Sequence, residues 1–300
     1  MAVTEENRKN AEYARKLYIE GADPHGAAID WAASLAEIRL KVVAALAASQ
    51  DLRDLRSALE ADGGHMLVFR HLLAPPKSQD QFKLLCDEWS KGSEKSGRPQ
   101  KPDAVQSVSG VLSQWMDKKI APWLAVNREP TEMERELLIE RVISFIAPKL
   151  TETQKRNRLS AEQENAVVER LRSLGWTQLP SVTIDTRAAV PPKHFMNRTR
   201  FATATTTAQE VDIACGFAAS YVAAMECKVT NDATNSVKRV NDVLKKAAAW
   251  KAHWGSFVET AALLQGVIKP EDVQRLTDEG VKVFWSHDLD VFEAWVRGRA

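Results

Sequence analysis

The sequence predicts an α/β chain with a central mixed sheet, preceded by a mostly helical N-terminal region. Three observations carry this. Through the first 150 residues, Ala- and Leu-rich stretches recur with charges at three-to-four spacing, and period-two β-branched runs are absent. After Leu150, Thr-, Val- and Ala-rich pieces alternate with helical patterns in the order helix, strands, helix, strand, helix. Over 300 residues, 44% apolar and 27% charged content supports one large domain or two ordinary ones and excludes wholesale disorder. The expected division is residues 1–150, the helical region, and residues 151–300, the sheet-containing domain.

In chain order, the helical pattern covers about 5–20, 27–48, 51–60, 79–91, 105–125 and 131–147. Pro75-Pro76 interrupts it, and Ser78 with Gln81 offers the next helix a capping box. Segment 93–104 combines turn formers with Lys and Arg and reads as a loop. A further helix is expected from Ser160 to Leu174, with Ser160 and Gln163 as a second capping box and Gly175 as its stop. Strands are expected at 201–207, 210–216 and 221–229, then a long helix at about 233–253. PEDVQRLTDEG, VKVFWSH and DLDVFEAWV close the chain as helix, strand and helix. Trp31, Trp89, Trp115 and Trp123 fall on apolar helical faces and read as core.

Composition removes several function classes. With 41 Lys+Arg against 40 Asp+Glu, the net charge of +1 is not that of a polycation that coats nucleic acid. Cys86, Cys215 and Cys227 are an odd, widely spaced set without a CxxC pair, which disfavours a disulfide framework or a thiolate zinc site. The N-terminus is polar and charged, and Val42–Ala48 is too short an apolar run to cross a bilayer, so a cytoplasmic protein with no membrane association is expected. Neither GxxxxGK[ST] nor GxGxxG occurs, so no nucleotide cofactor is expected; the histidines show no HExxH spacing.

Chemistry concentrates in the strands. Asp212 interrupts the apolar run 211–215, and Glu226 and Lys228 stand two apart in the apolar run 221–229. Period two places Glu226 and Lys228 on one face, with Met225, Cys227 and Val229 on the other. Charges in core-type strands are costly unless paired or metal-bound. Two carboxylates and an ammonium on adjacent strands are a set that can hold Mg²⁺ beside an oriented water. The bland alternative is a buried ionic cluster.

The layout of an acid-bearing helix, a strand with Asp212, a strand with Glu226-x-Lys228 and a following helix resembles the PD-(D/E)XK nuclease superfamily. Val211 stands where the superfamily usually has Pro. Its first-helix acid matches Glu164, with Glu169 as runner-up. More narrowly, Glu226–Asn231, the helix segment Thr234–Asn241, Lys246–Trp250 and the upstream Phe69–Gln81 resemble the XamI-like type II restriction endonucleases. This resemblance implies a restriction-endonuclease-like αβα core at 151–300. It also implies sequence-specific, Mg²⁺-dependent cleavage of double-stranded DNA within a restriction-modification system, Mn²⁺ being able to substitute. Its implied roles are catalytic for Asp212, Glu226, Lys228 and Glu164, and metal-ligating for Asp212, Glu226 and the Cys227 carbonyl. Lys228 would orient and help deprotonate the attacking water, leaving 5′-phosphate ends. A palindromic target implies a homodimer, with residues 1–150 supplying dimerisation, DNA embrace or both.

Charge distribution supports DNA independently. Segments 187–208 and 238–254 hold nine basic residues and one acid, so the remaining 261 residues sum to −7. Arg187, Lys193, Arg198, Arg200, Lys238 and Arg239 are the expected phosphate contacts, with Asn231, Asn235, Ser236 and Asn241 as polar contacts. Two other readings stay open on sequence alone: a structure-selective repair or resolution nuclease, and a non-catalytic DNA-binding protein.

Overall fold

The computed structural model describes residues 2–205 and 207–300. Eleven α-helices and seven strands follow one another along these residues. The helices are α1 (Glu5–Glu20), α2 (Pro24–Ala48), α3 (Leu55–Ala61), α4 (Met66–Phe69), α5 (Gln79–Leu85), α6 (Lys91–Ser96), α7 (Pro102–Trp115) and α8 (Glu132–Ser173). After β1 (Thr177–Gln178), β2 (Thr183–Ile184), β3 (His194–Phe201), β4 (Gln209–Gly216) and β5 (Val222–Thr230) comes α9 (Ala233–Trp254). Strand β6 (Val258–Gly266), α10 (Pro270–Asp278), β7 (Lys282–Trp285) and α11 (Leu289–Arg297) complete the chain. Among these residues no helix is long and apolar enough to cross a membrane.

The chain forms two compact units, Met1–Asp23 with Gln154–Ala300, and Pro24–Thr153. The change of unit at 153/154 falls inside α8, a single 42-residue helix. The expected loop before Ser160 is therefore absent, and Ser160 lies mid-helix rather than at a cap. Strong helix formers (Lys149, Glu152, Gln154, Lys155, Arg156) carry the helix across this polar stretch despite Pro148. Residues 1–23 belong with the sheet rather than with the helical region. Ala11 and Ala14 of α1 are buried in the core that also holds Val273 and Leu276 of α10.

The helical unit is built on one apolar core from Ile38 to Ala147. Trp89 and Trp123 lie in it as expected, while Trp31 is 38% exposed. The expected capping box at Ser78 and Gln81 starts α5. Beside it a buried ion pair ties the loop segments together. Arg70 donates through Nε and Nη2 to Glu94 at 2.9–3.1 Å, and Gln79 adds a 2.9 Å bond to the same carboxylate. Part of the expected loop at 93–104 is helical, forming the end of α6 and the start of α7.

In the other unit the seven strands form one mixed sheet in the order β1-β3-β4-β5-β6-β7, with β2 also on β3. Strands β3, β4 and β5 are antiparallel neighbours; β5, β6 and β7 are parallel. One sheet face packs Val167, Val168 and Leu171 of α8 and Phe292 and Val296 of α11. The other packs Val240, Val243, Ala247, Trp250 and Trp254 of α9, with α10 and α1 alongside. Helices on both faces satisfy the parallel half of the sheet. This is the α/β class with a helical N-terminal region that the sequence indicates.

Two strand expectations need correction. The expected strand at 201–207 is instead β3, ending at Phe201; residues 202–205 and 207 are loop, and Thr206 lies outside the described residues. Strand β6, VETAALLQG, was not expected, because its Ala-Leu run lacks β-branched alternation. It is the parallel partner of β5 over all nine residues, Val222↔Val258 through Thr230↔Gly266.

Candidate active site

Strand β4 pairs with β5 only from Gly216↔Val222 to Ile213↔Met225. Beyond that point the ladder stops, and the Asp212 carboxylate takes its place: Oδ2 accepts the backbone N–H of Cys227 at 2.7 Å. The N–H and C=O of one strand residue point to the same side. The Cys227 carbonyl therefore faces the same opening between β4 and β5.

Asp212 and its neighbour across the sheet on β3, Arg198, sit where strand alternation slips. Ile213 and Cys215 join the core under α8 and α11, whereas Val211 and Ala214 join the core under α9. The pairing of β3 with β4 passes from Asn197↔Ile213 to Thr199↔Val211 and leaves Arg198 and Asp212 unpaired. Arg198 has φ of 52°, a left-handed conformation that a non-glycine residue adopts at a cost. The slip turns both side chains into a cleft of about 510 Å³ lined by Arg198, Thr199, Arg200, Glu210, Val211 and Asp212.

Glu226 is fully buried on the α9 face of β5. Its Oε2 receives the Lys228 ammonium at 2.6 Å and the Lys246 ammonium, from α9, at 2.8 Å. Its Oε1 is buried and has no hydrogen-bond partner. Lys228 also lies 3.5 Å from Asp242 Oδ2 and 3.9 Å from Asp212 Oδ2. Burial pushes the Glu226 carboxyl above its ordinary pKa, against the pull of the two lysines. Burial also opposes the Lys228 charge, but the carboxylates of Glu226, Asp212 and Asp242 outweigh it and raise its pKa. Lys228 is thus held in its charged, hydrogen-bond-donating form.

Glu164 reaches the site from α8, buried, and accepts from Arg198 Nε at 2.7 Å. The hydrogen bond raises the guanidinium's pKa, with a further contribution from Asp212. The runner-up Glu169 is exposed and pairs with Arg172. Burial drives the Cys227 thiol well above its ordinary pKa, and the carboxylates of Asp212, Glu164 and Glu226 add to it. Among the described residues, no three His, Cys, Asp or Glu side chains form a ready-made ligand cluster. The donor set on offer is two carboxylates, one with an unpartnered buried oxygen, beside a freed carbonyl. That is a fit for Mg²⁺, which keeps most of its waters.

The expected DNA contacts scatter more widely. Arg200 pairs with Glu210 across the strands at 3.1 Å on the cleft wall. Lys193 precedes β3 at its far end, donating its backbone N–H to Gly216 O. Arg187 stacks its guanidinium 3.8 Å over the Phe257 ring. Asn235 donates to Asn231 and Asp232 at the start of α9, and Asn241 accepts from Arg275 at 2.8 Å. Lys238 is exposed on α9 and Arg239 half-buried. Ser236 departs from expectation: it is fully buried and donates to Asp272 at 2.8 Å, a contact between α9 and α10 rather than a surface group.

The sequence assigns neither Asp242 nor Lys246 to the site, although both lie in the basic segment 238–254 and Lys246 opens the Lys246–Trp250 resemblance. Their spacing of four on a charge-rich helix is that of any solvated pair. Only the docking of α9 on β5 reveals which residues they meet.

The family model described as XamI restriction endonuclease matches residues 50–285. The type II restriction enzyme XamI of Xanthomonas campestris pv. amaranthicola is 31% identical over 191 residues, covering 63% of this chain and 67% of its own. The crystal structure of protein VC1899 from Vibrio cholerae aligns over 88% of this chain and 57% of its own, at 9% identity. Its TM-score of 0.29 is too slight a likeness to define the fold. With residues 50–285 matched, most of its length, the chain belongs to the XamI restriction endonuclease family.

Proposed function

We propose that this chain is a type II restriction endonuclease that hydrolyses double-stranded DNA at a short palindromic site, with Mg²⁺ as cofactor and Mn²⁺ able to replace it. The observation that carries the reading is the meeting of Asp212, Glu226 and Lys228 where β4 parts from β5. Asp212, the Oε1 of Glu226 and the Cys227 carbonyl would hold the cation. Bound there, the cation supplies Lewis-acid polarisation of the scissile phosphate and charge neutralisation at the leaving 3′ oxygen. Lys228 donates to the attacking water or a phosphate oxygen and orients it. Arg198, on the cleft wall with Asp212, is an expected phosphate contact, and Glu164 fixes its guanidinium. The products are 5′-phosphate and 3′-hydroxyl ends.

Cutting both strands of a palindrome calls for two copies of this single site, hence a homodimer. The helical region, which leaves Leu40, Met133 and Leu137 exposed, supplies dimer contacts, DNA embrace or both. The protein is expected in the cytoplasm, where its DNA substrate lies.

The test is digestion of a plasmid of known sequence with Mg²⁺, followed by run-off sequencing of the ends. Discrete, reproducible bands with 5′-phosphates are expected, and Asp212→Ala and Lys228→Ala are expected to abolish them while retaining site-specific binding. Full cleavage by either variant, or nicking that follows branches instead of sequence, overturns the reading.

A further inference from the structure

Glu226 carries one more counter-charge than an ion pair needs. Both ammonium groups lie on the same oxygen, Lys228 at 2.6 Å and Lys246 at 2.8 Å. The two lysines differ in their surroundings. Lys228 stands among three carboxylates, those of Glu226, Asp242 and Asp212, within 2.6–3.9 Å. Lys246 comes from the helix opposite and reaches Glu226 directly. Asp242 and Lys246, four apart on α9, thus face Lys228 and Glu226, two apart on β5, each acid against the other element's base.

A buried carboxylate stripped of its counter-ion is heavily penalised. If Lys228 were the sole partner of Glu226, it could not leave that carboxylate to serve the substrate without exposing this penalty. We propose that Lys246 is a positioning residue for the cleavage reaction. It holds Oε2 of Glu226 permanently, so that Lys228 is free to move to the attacking water. The inference rests on the nuclease reading above and adds to it a role for α9.

The test uses the full-length protein with Lys246→Met and Lys246→Arg, and Asp242→Asn as a variant at a half-exposed position that folds even where the Met variant does not. Plasmid cleavage gives kcat and KM, and Mn²⁺ titration by calorimetry without DNA gives a readout independent of turnover. Lys246→Met is expected to lower kcat about 10–100-fold, with KM changed less than about twofold. Lys246→Arg, which keeps the charge and a donor, is expected to recover most of that loss. Asp242→Asn, which removes one of the carboxylates that restrain Lys228 and leaves Lys246 on Glu226, is expected to raise kcat about twofold or more. Removing a positive charge beside Glu226 also predicts Mn²⁺ binding at least as tight as in the unaltered protein. A purely structural Lys246 would instead weaken metal binding and activity together. That joint loss, or unaltered kcat in Lys246→Met, overturns the inference. Should Lys246→Met fail to fold, a kcat that Asp242→Asn does not raise overturns it. Lack of cleavage by the unaltered protein overturns the nuclease reading itself, a separate result.

Discussion

The carboxylate of Asp212 accepts the backbone N–H of Cys227 at 2.7 Å, so a side chain completes a strand ladder that the backbone has abandoned. Asp212 therefore has a structural duty as well as a proposed ligand role, and two substitutions separate them. Asp212→Asn keeps an acceptor for Cys227 and should stay within about 0.5 kcal/mol of the parent in urea unfolding. Asp212→Ala loses the bond and should cost about 1 kcal/mol. Both are expected to be inactive in cleavage.

Arg198 tests backbone and charge separately. Its φ of 52° predicts that Arg198→Gly is more stable than Arg198→Ala by about 1 kcal/mol, measured by thermal or urea unfolding. Loss of the guanidinium in either variant should weaken DNA binding in Ca²⁺ and lower the slope of log K against log salt by about one. An unchanged slope would remove Arg198 from the phosphate contacts.

Ser236 should behave as a packing residue. Ser236→Ala takes a hydrogen bond from buried Asp272, which retains Arg275 at 3.2 Å, and should cost about 1–3 kcal/mol in unfolding. DNA affinity of the folded variant should match the parent, whereas Lys238→Ala should weaken it with little effect on stability.

Acid sensitivity has one clear contributor in the helical unit. Hydrogen bonding to Arg128, at 2.7 Å, and to the Thr131 backbone holds the Glu134 carboxyl down at about 2, against an ordinary 4.5. A depressed acid stabilises the fold fully above its unfolded pKa and loses that contribution as pH falls towards its folded one. The parent should thus lose stability between about pH 4.5 and 2 more steeply than Glu134→Gln. Thermal melts across that range check it; identical slopes would refute the assignment.

The acid-base core of the site was readable in the sequence because charged residues inside apolar strands stand out. Asp212 in 211–215 and Glu226 with Lys228 in 221–229 are conspicuous for the reason that makes them expensive. Asp242 and Lys246 were not, since α9 is charged along its length and its outward and inward charges have the same spacing. The same limit applies to the fold. Strand β5 is legible as a Val- and Ala-rich run, while β6 hides behind Ala and Leu, which suit either geometry. Ser160 looked like a cap because a capping box is a local signal, and α8 overrode it with good helix formers on both sides. The slips at Arg198 and Asp212 come from a left-handed residue that is arginine, where a glycine would have drawn notice.

The unequal pairing of β5 has a mechanical consequence. On one side β5 is bonded to β6 through nine consecutive residues; on the other, its contact with β4 ends after four. Glu226 and Lys228 ride on the doubly supported member, and Asp212 on the one that lets go. The pair of carboxylates thus works as a caliper with a fixed arm and an adjustable one. Closing onto a cation would then ask for movement of the Asp212 arm, while the β5 backbone that carries Glu226 and Lys228 keeps its place.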